Sequence, residues 1–257
     1  MADVTAATAF EWSKLSSLRS TMWSLVAYAT VSIAGAVALG VLIGMRYEEM
    51  TAAGKADFDP VSAGFSALRL GMIALVVFGV LAVSSEYASG TIRSSLAAVP
   101  RRGVFYGAKL LAGGAAAFGV SAAVVLASFF AAQAAMGSGA PSVSLTDAGV
   151  PRAVIGAVLY TTLLCLFAMG LAALLRSAAL TMGILVPLFF VISGILSSVP
   201  GVQQAAQFLP DVAGGLVLVR TPPSDTVLNA WTGMGVLAGW TALALLAGYT
   251  ATRKRDA

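Results

Sequence analysis

Six nearly uninterrupted apolar stretches run through the chain, at residues 22–45, 65–83, 109–136, 153–175, 178–199 and 229–250. Each is close to the roughly 20 residues that a helix needs to cross a bilayer core of about 30 Å. The pattern therefore predicts an all-α polytopic membrane protein, a single transmembrane domain over residues 1–257 with six spanning helices. The first stretch is longer than the roughly 7–15 apolar residues of a cleaved leader, so it is expected to stay as a span. Ahead of it, Trp12, Leu15, Leu18 and Met22 recur at helical spacing while Ser13, Ser16, Ser17 and Ser20 fall elsewhere. That predicts a short elbow helix over about 8–21 lying along the membrane interface, with a plain juxtamembrane tail as the alternative; Glu11 and Arg19 interrupt its apolar stripe. Residues 202–219 carry one charge, Asp211, and are broken by Pro210 and by Gly214 with Gly215. They are read as an interfacial or re-entrant outer element, where irregular backbone survives if protein covers it, or as a partly ordered outer loop. The structure of 200–223 is left open.

Composition narrows the class. Of 257 residues, 59% are hydrophobic and 10% charged, against about 25% charged in soluble domains, and the mean hydropathy is +0.91. These values exclude a water-soluble enzyme, a disordered tail and a nucleic-acid-binding module. Histidine is absent, which removes Ser-His catalysis and His-based zinc sites; no catalytic, metal or cofactor-binding residue is assigned. The single cysteine, Cys165, lies in an apolar run and reads as a small core or lipid-facing residue. The string Gly119-Val120-Ser121 inside the third span lacks a base for a serine nucleophile. The net charge of +4 bears on orientation. With the amino terminus inside, Lys14, Arg19, Arg93, Arg101, Arg102, Lys109, Arg176, Arg253, Lys254 and Arg255 are inside, and Arg46, Lys55, Arg152 and Arg220 outside. Ten against four predicts both termini in the cytoplasm, because the Lys and Arg bias sets topology.

Uphill transport needs ATP, an ion gradient or a partner. The chain has no Gly-x-x-x-x-Gly-Lys-Ser/Thr loop for ATP phosphates. It also places no acidic residue near the middle of a span, where ion pathways usually carry one; Arg69 is close to an outer end and Glu86 just past an inner one. Energy delivered by another protein at the cytoplasmic face is the remaining route. The large cytoplasmic segment, 84–108, reads SSEYASGTIRSSLAAVPRRGVFYGA. Ile92, Leu96 and Val99 recur at i, i+4 and i+7, so a short amphipathic helix is predicted there, stopped by Pro100. With Arg93, Arg101 and Arg102 around it, the helix is either a docking element for a groove on a partner or a positive-inside loop without one.

Glu86 after the second span, Gly90-Thr91, the short helix with Ile92, Arg93 and Leu96, then Pro100-Arg101, and Lys109 opening the third span form a pattern. In it the chain resembles the permease subunits of ATP-binding-cassette (ABC) transporters of the type-2 exporter family. The resemblance extends in layout to the elbow, to the tight turn at Arg176-Ser177 and to the Pro-broken segment before the last span. It implies that Glu86, Gly90, Thr91, Ile92, Arg93, Leu96, Pro100 and Arg101 couple the chain to a separate cytoplasmic ATP-binding subunit, present in two copies. ATP and Mg would be bound on that subunit and not on this chain. It also implies a second permease copy, in a homodimer or heterodimer, within a bacterial plasma membrane, and export of an apolar, amphipathic or peptidic cargo. A non-exporting sensor or immunity subunit, or a membrane anchor, is the alternative.

Within the spans, Tyr28, Ser32, Thr181 and Ser193 are candidates to line a weakly polar translocation path, or else bond their own helix backbones or glue helices together. Pro187 is expected to kink the fifth span, which the resemblance puts near the dimer axis, in a gating position. Gly40 with Gly44 and Gly235 with Gly239 make small-residue faces for close helix contact. With Cys165 replaced, cysteines at Thr51, Asp147 and Ser224 should label from outside the cell, and those at Ser95 and Ser177 only after permeabilisation. Labelling of Ser95 in intact cells would invert the topology.

Overall fold

The computed structural model describes residues 2–220 and 226–254, all of its regular structure helical. Arg255 and one expected outer position, Ser224, lie outside the described residues. The chain opens with α1 (Ala2–Ser17) and α2 (Arg19–Arg46), separated by the single extended residue Leu18. The corner is fastened by Thr21, whose hydroxyl donates to the carbonyls of Leu15 at 2.9 Å and Leu18 at 2.7 Å. Leu15 O is a carbonyl at the end of α1, where helical partners run out, while Leu18 O also accepts from Met22 N at 3.1 Å. The elbow thus begins earlier and ends earlier than its apolar stripe suggests. Leu15 is buried, whereas Trp12 and Met22 are exposed on the surface that lipid would meet.

Two capped short helices follow, α3 (Ala52–Ala56) under Thr51 and α4 (Pro60–Phe65) under Asp59, before α5 (Leu68–Ser89). Gly90, at φ 72°, ends α5 in the left-handed region that glycine adopts without strain. Next come α6 (Ile92–Ala98) and α7 (Arg102–Met136). At 35 residues α7 is about 52 Å long and so projects well past a bilayer core at the end where the termini lie. Its helix starts seven residues before the apolar run at 109, and those extra turns bury Phe105, Tyr106 and Ala108. Then α8 (Val150–Leu175) and α9 (Ala178–Pro187) meet at Arg176, which takes a left-handed φ of 54°, and Ser177, which caps α9. Past Pro187 the fifth span continues through a π-helical turn, Leu188–Ile192, into α10 (Ser193–Ser198). Proline lacks the N–H an α-helix would use, and the wider turn accommodates it.

Ahead of the last span, residues 203–218 form α11 (Gln203–Ala206), α12 (Pro210–Gly215) and a 3₁₀ turn over Leu216–Leu218. Pro210 starts α12, as proline suits the first helical position. Trp240 donates its indole N–H to Phe208 O at 2.9 Å, Arg152 donates to Val219 O at 2.8 Å, and Arg220 N reaches Asp59 Oδ2 at 2.9 Å. Finally α13 (Ala230–Lys254) starts beneath Asn229, whose side-chain oxygen accepts from Trp231 N and Thr232 N.

The six long helical stretches, 19–49, 60–89, 102–136, 150–175, 178–198 and 230–254, are each long and apolar enough to cross a membrane. α8 lies at the centre against α5, α7 and α13, while α2 packs on α5 and α7. The most apolar window is 67% buried in the α8 span but only 22% in the first and fifth spans, which leaves those two as the open flanks. Close approach depends on glycine. A Cβ on Gly40 would stand 2.7 Å from Ala132 O and one on Gly44 2.6 Å from Met136 O, so α2 meets α7 through that pair. Gly170 and Gly248 do the same where α8 crosses α13, with 2.7 Å from Gly170 to the Ala244 carbonyl carbon and from Gly248 to Gly170 O. Gly235 and Gly239 face nothing within 4 Å, so the second expected small face has no neighbour in this chain. Cys165 is buried. Gly170→Val should lower stability by about 1–3 kcal/mol through overpacking, read as an earlier thermal transition in detergent, whereas Gly235→Val should leave it unchanged.

Candidate functional site

At the termini end, four charged side chains converge from three helices. On α1 the buried positions Ala7, Glu11 and Leu15 are four residues apart, one face of a helix. This face lays Glu11 against α7, where Lys109 donates to its Oε2 at 2.6 Å. Lys109 also bonds Glu86 Oε1, from the last turns of α5, and approaches Ala82 O at 3.4 Å. Lys14, one turn after Glu11, bonds the same Glu86 oxygen and reaches Ser95 Oγ of α6 at 3.3 Å. Glu11, Glu86 and Lys109 are 2%, 1% and 4% exposed. Two carboxylates and two ammonium groups thus form a neutral quartet, with Glu11, Glu86 and Lys109 buried and Lys14 at its partly exposed edge. Phe105 lies 5.2 Å from the Lys109 ammonium, a buried cation–π contact, and the exposed Phe10 5.8 Å from the ammonium of Lys14. Glu11 Oε1 and Glu86 Oε2 have no hydrogen-bond partner.

The loop residues singled out in the sequence gather around this quartet. Gly90 turns the chain and Thr91 is exposed, its hydroxyl 2.8 Å from that of Ser89. Ile92 and Ser95 are buried and Leu96 is half-buried. Arg93, Ser94, Ala97 and Ala98 form the exposed side of α6, followed by Pro100 and Arg101, also exposed. The apolar stripe is therefore largely occupied by the chain's own packing, and the outward side of α6 is polar and small. Two clefts flank this helix, one lined by Phe10, Lys14, Glu86 and Ser94, the other by Ala7, Phe10, Val99 and Arg101. Nearby, Arg102 donates to Arg253 O at 3.2 Å and Arg176 to Ala251 O at 3.1 Å. Both satisfy carbonyls at the end of α13, where cations also favour the helix dipole.

Sequence reasoning took Glu11 as an interruption and did not pair Lys14 with anything. The available signal was a charge placed between Ala7 and Leu15 on an otherwise apolar face, matched by Lys109 in an apolar helix. The span residues are placed differently. Tyr28, Ser32 and Thr181 are fully buried against neighbouring helices. Ser32 Oγ sits where a Cβ on Gly71 would lie only 1.9 Å away, and Thr181 bonds its own backbone through Ser177 O at 2.7 Å. Pro187 precedes the π turn. Ser193 is buried and donates to Asp211 Oδ1 at 2.8 Å, at the far end of the fold.

Six helices long and apolar enough to cross a membrane, with a buried ionic knot beneath a short surface helix, define a multi-pass membrane protein. Residues 34–257 match the model of the ABC-2 family transporter protein, and the chain belongs to that family as a permease subunit, whose membership implies an ATP-binding partner subunit. A search of the curated proteins finds no match. The matched region begins within α2, so the quartet joins Glu86 and Lys109 inside it to Glu11 and Lys14 before it.

Glu86→Leu should strand two ammonium groups on one carboxylate and cost about 3–5 kcal/mol, as should Lys109→Met. Combining them leaves Glu11 with Lys14 and should recover much of the loss, a non-additivity visible in unfolding of the purified protein. Lys55→Ala, which removes the exposed Lys55–Glu48 pair, should change stability by less than about 1 kcal/mol.

Proposed function

We propose that this chain is the membrane half of an exporter that moves an apolar, amphipathic or peptidic cargo outward. ATP and Mg are bound and turned over by two copies of a separate cytoplasmic subunit. Its setting is a bacterial plasma membrane, with both termini in the cytoplasm and a second permease copy alongside. The observation that carries this reading is the tie between α6 and the quartet. Ser95 and Glu86 link the surface helix through Lys14 and Lys109 to α1, α5 and α7 at once. A push on α6 then reaches three helices through contacts that cannot stretch cheaply, because separating them exposes a buried charge. The absence of an ATP-phosphate loop and of a mid-span acid in the sequence supports a partner as the energy source. Arg93, Ser94 and Ala97 form the docking side, with Arg101 at its edge. The second copy covers the first and fifth spans, whose open flanks carry Val31, Val41, Ile184 and Ile195.

Co-purification with the ATP-binding subunit tests the docking side. Ala97→Trp places a large ring on an exposed position, so the chain should fold normally but capture its ATPase less well, by about 2 kcal/mol or roughly 30-fold. Arg93→Glu should chiefly slow association, as expected for a rim charge. Undiminished capture and cargo-stimulated ATP turnover with Ala97→Trp would remove α6 from the docking surface.

A further inference from the structure

At the end of the fold opposite the quartet, a cavity of about 430 Å³ opens between α5, α8, α10 and α12. This lies within the range of small-ligand sites, about 300–1,000 Å³. Its apolar wall includes Phe65 and Leu216, and its polar groups include Arg69, Tyr160, Ser193 and Asp211. Asp211 is 5% exposed, and its two carboxylate oxygens differ. Oδ1 accepts from Ser193, which holds the group in place, while Oδ2 is buried with no hydrogen-bond partner. Tyr160 donates to the backbone oxygen of Asp211 at 3.2 Å and fixes the turn that presents it. Burial raises the Asp211 carboxyl above the ordinary aspartate range, against the opposing effects of the Ser193 hydrogen bond, the nearby backbone N–H groups of Asp211 and Val212 and the Arg69 charge. Arg69 lines the same cavity, is exposed, and among the described residues makes no salt bridge, with Asp211 or any other acid. A carboxylate oxygen without a hydrogen-bond partner and a guanidinium without a salt bridge among the described residues thus share one cavity.

We infer that this cavity binds a zwitterionic group, with a primary ammonium donating to Asp211 Oδ2 and an acidic oxygen group accepting from Arg69. A ligand carrying both charges satisfies both ends at once. A purely cationic ligand is repelled by Arg69 and a purely anionic one by Asp211. A quaternary ammonium has no N–H and leaves Oδ2 unsatisfied, so it is discriminated against. The same chemistry is offered by an ethanolamine phospholipid head group and by a free peptide with charged termini. This site requires nothing of the partner-driven export proposed above, and it is tested on the chain alone.

The full chain, purified in mild detergent, is titrated with short-chain phosphatidylethanolamine, phosphatidylcholine and phosphatidylglycerol, and separately with dialanine. Binding is read by native mass spectrometry and thermal shift. Phosphatidylethanolamine, dialanine or both should bind about tenfold or more tighter than phosphatidylcholine or phosphatidylglycerol, the effect of one unsatisfied buried acceptor. Preference for the lipid assigns a head-group site, and preference for dialanine a peptide site. Asp211→Asn should erase the preference over phosphatidylcholine. Arg69→Gln, on an exposed position that leaves folding intact, should weaken both zwitterions. Equal binding of the ethanolamine and choline lipids together with no binding of dialanine, or undiminished binding of the ethanolamine lipid and of dialanine by Arg69→Gln, would overturn the inference.

Discussion

Glu86 Oε1 accepts from Lys14 and from Lys109, and this one shared oxygen organises the termini end of the protein. Burying three charges beside a partly exposed fourth is expensive, and the arrangement persists because each ammonium meets a carboxylate and the set sums to zero. An ion pair of this kind adds little stability over an apolar replacement; it fixes geometry. A helix lying on the surface has many orientations of similar hydrophobic energy. Once Glu11 must meet Lys109 and Lys14 must meet Glu86, α1 has one rotation and one depth, and Ser95 brings α6 with it.

The two ends of the molecule handle polar groups in opposite ways. At the termini end, charge is spent internally: the quartet is neutral, and Arg102 and Arg176 bond the last carbonyls of α13. The helix ends there are stitched into a common platform, suited to receiving a force. At the far end, the chain between α10 and α13 is tied down by Trp240, Arg152 and Asp59. Asp211 and Arg69 nevertheless face a cavity unpaired, an arrangement suited to receiving a ligand. Between the ends, α8 forms a packed axis with glycine contacts to α13, while the first and fifth spans remain open. The fifth span also carries the π turn after Pro187, so one of the two most exposed spans is the one with the least regular backbone.

The number and position of the spans were determined by the sequence, and the reason is local. In hydrocarbon every backbone N–H and C=O must be paired within its own segment, so a span is a continuous apolar run of fixed length, and 22–45 or 153–175 can be marked without knowledge of any neighbour. Chain breaks were equally local: Gly90, Pro100 and the turn at Arg176-Ser177 act through φ and missing N–H groups. The loop around Glu86 stood out because a lone acid and a short helical period are unusual in so apolar a chain. What only the tertiary structure decided was rotation and partnership. Helices apolar all round carry almost no directional information, so nothing in the runs told that Tyr28 and Ser32 point inward, that Gly44 meets α7 while Gly239 meets nothing, or that Ile92 turns home. The quartet joins residues up to 98 positions apart, and the far cavity joins α5 to α12 across most of the chain. Such pairings follow from how six cylinders settle against one another, and the physics that sets them, close packing and the cost of an unpaired charge, acts only once the cylinders meet.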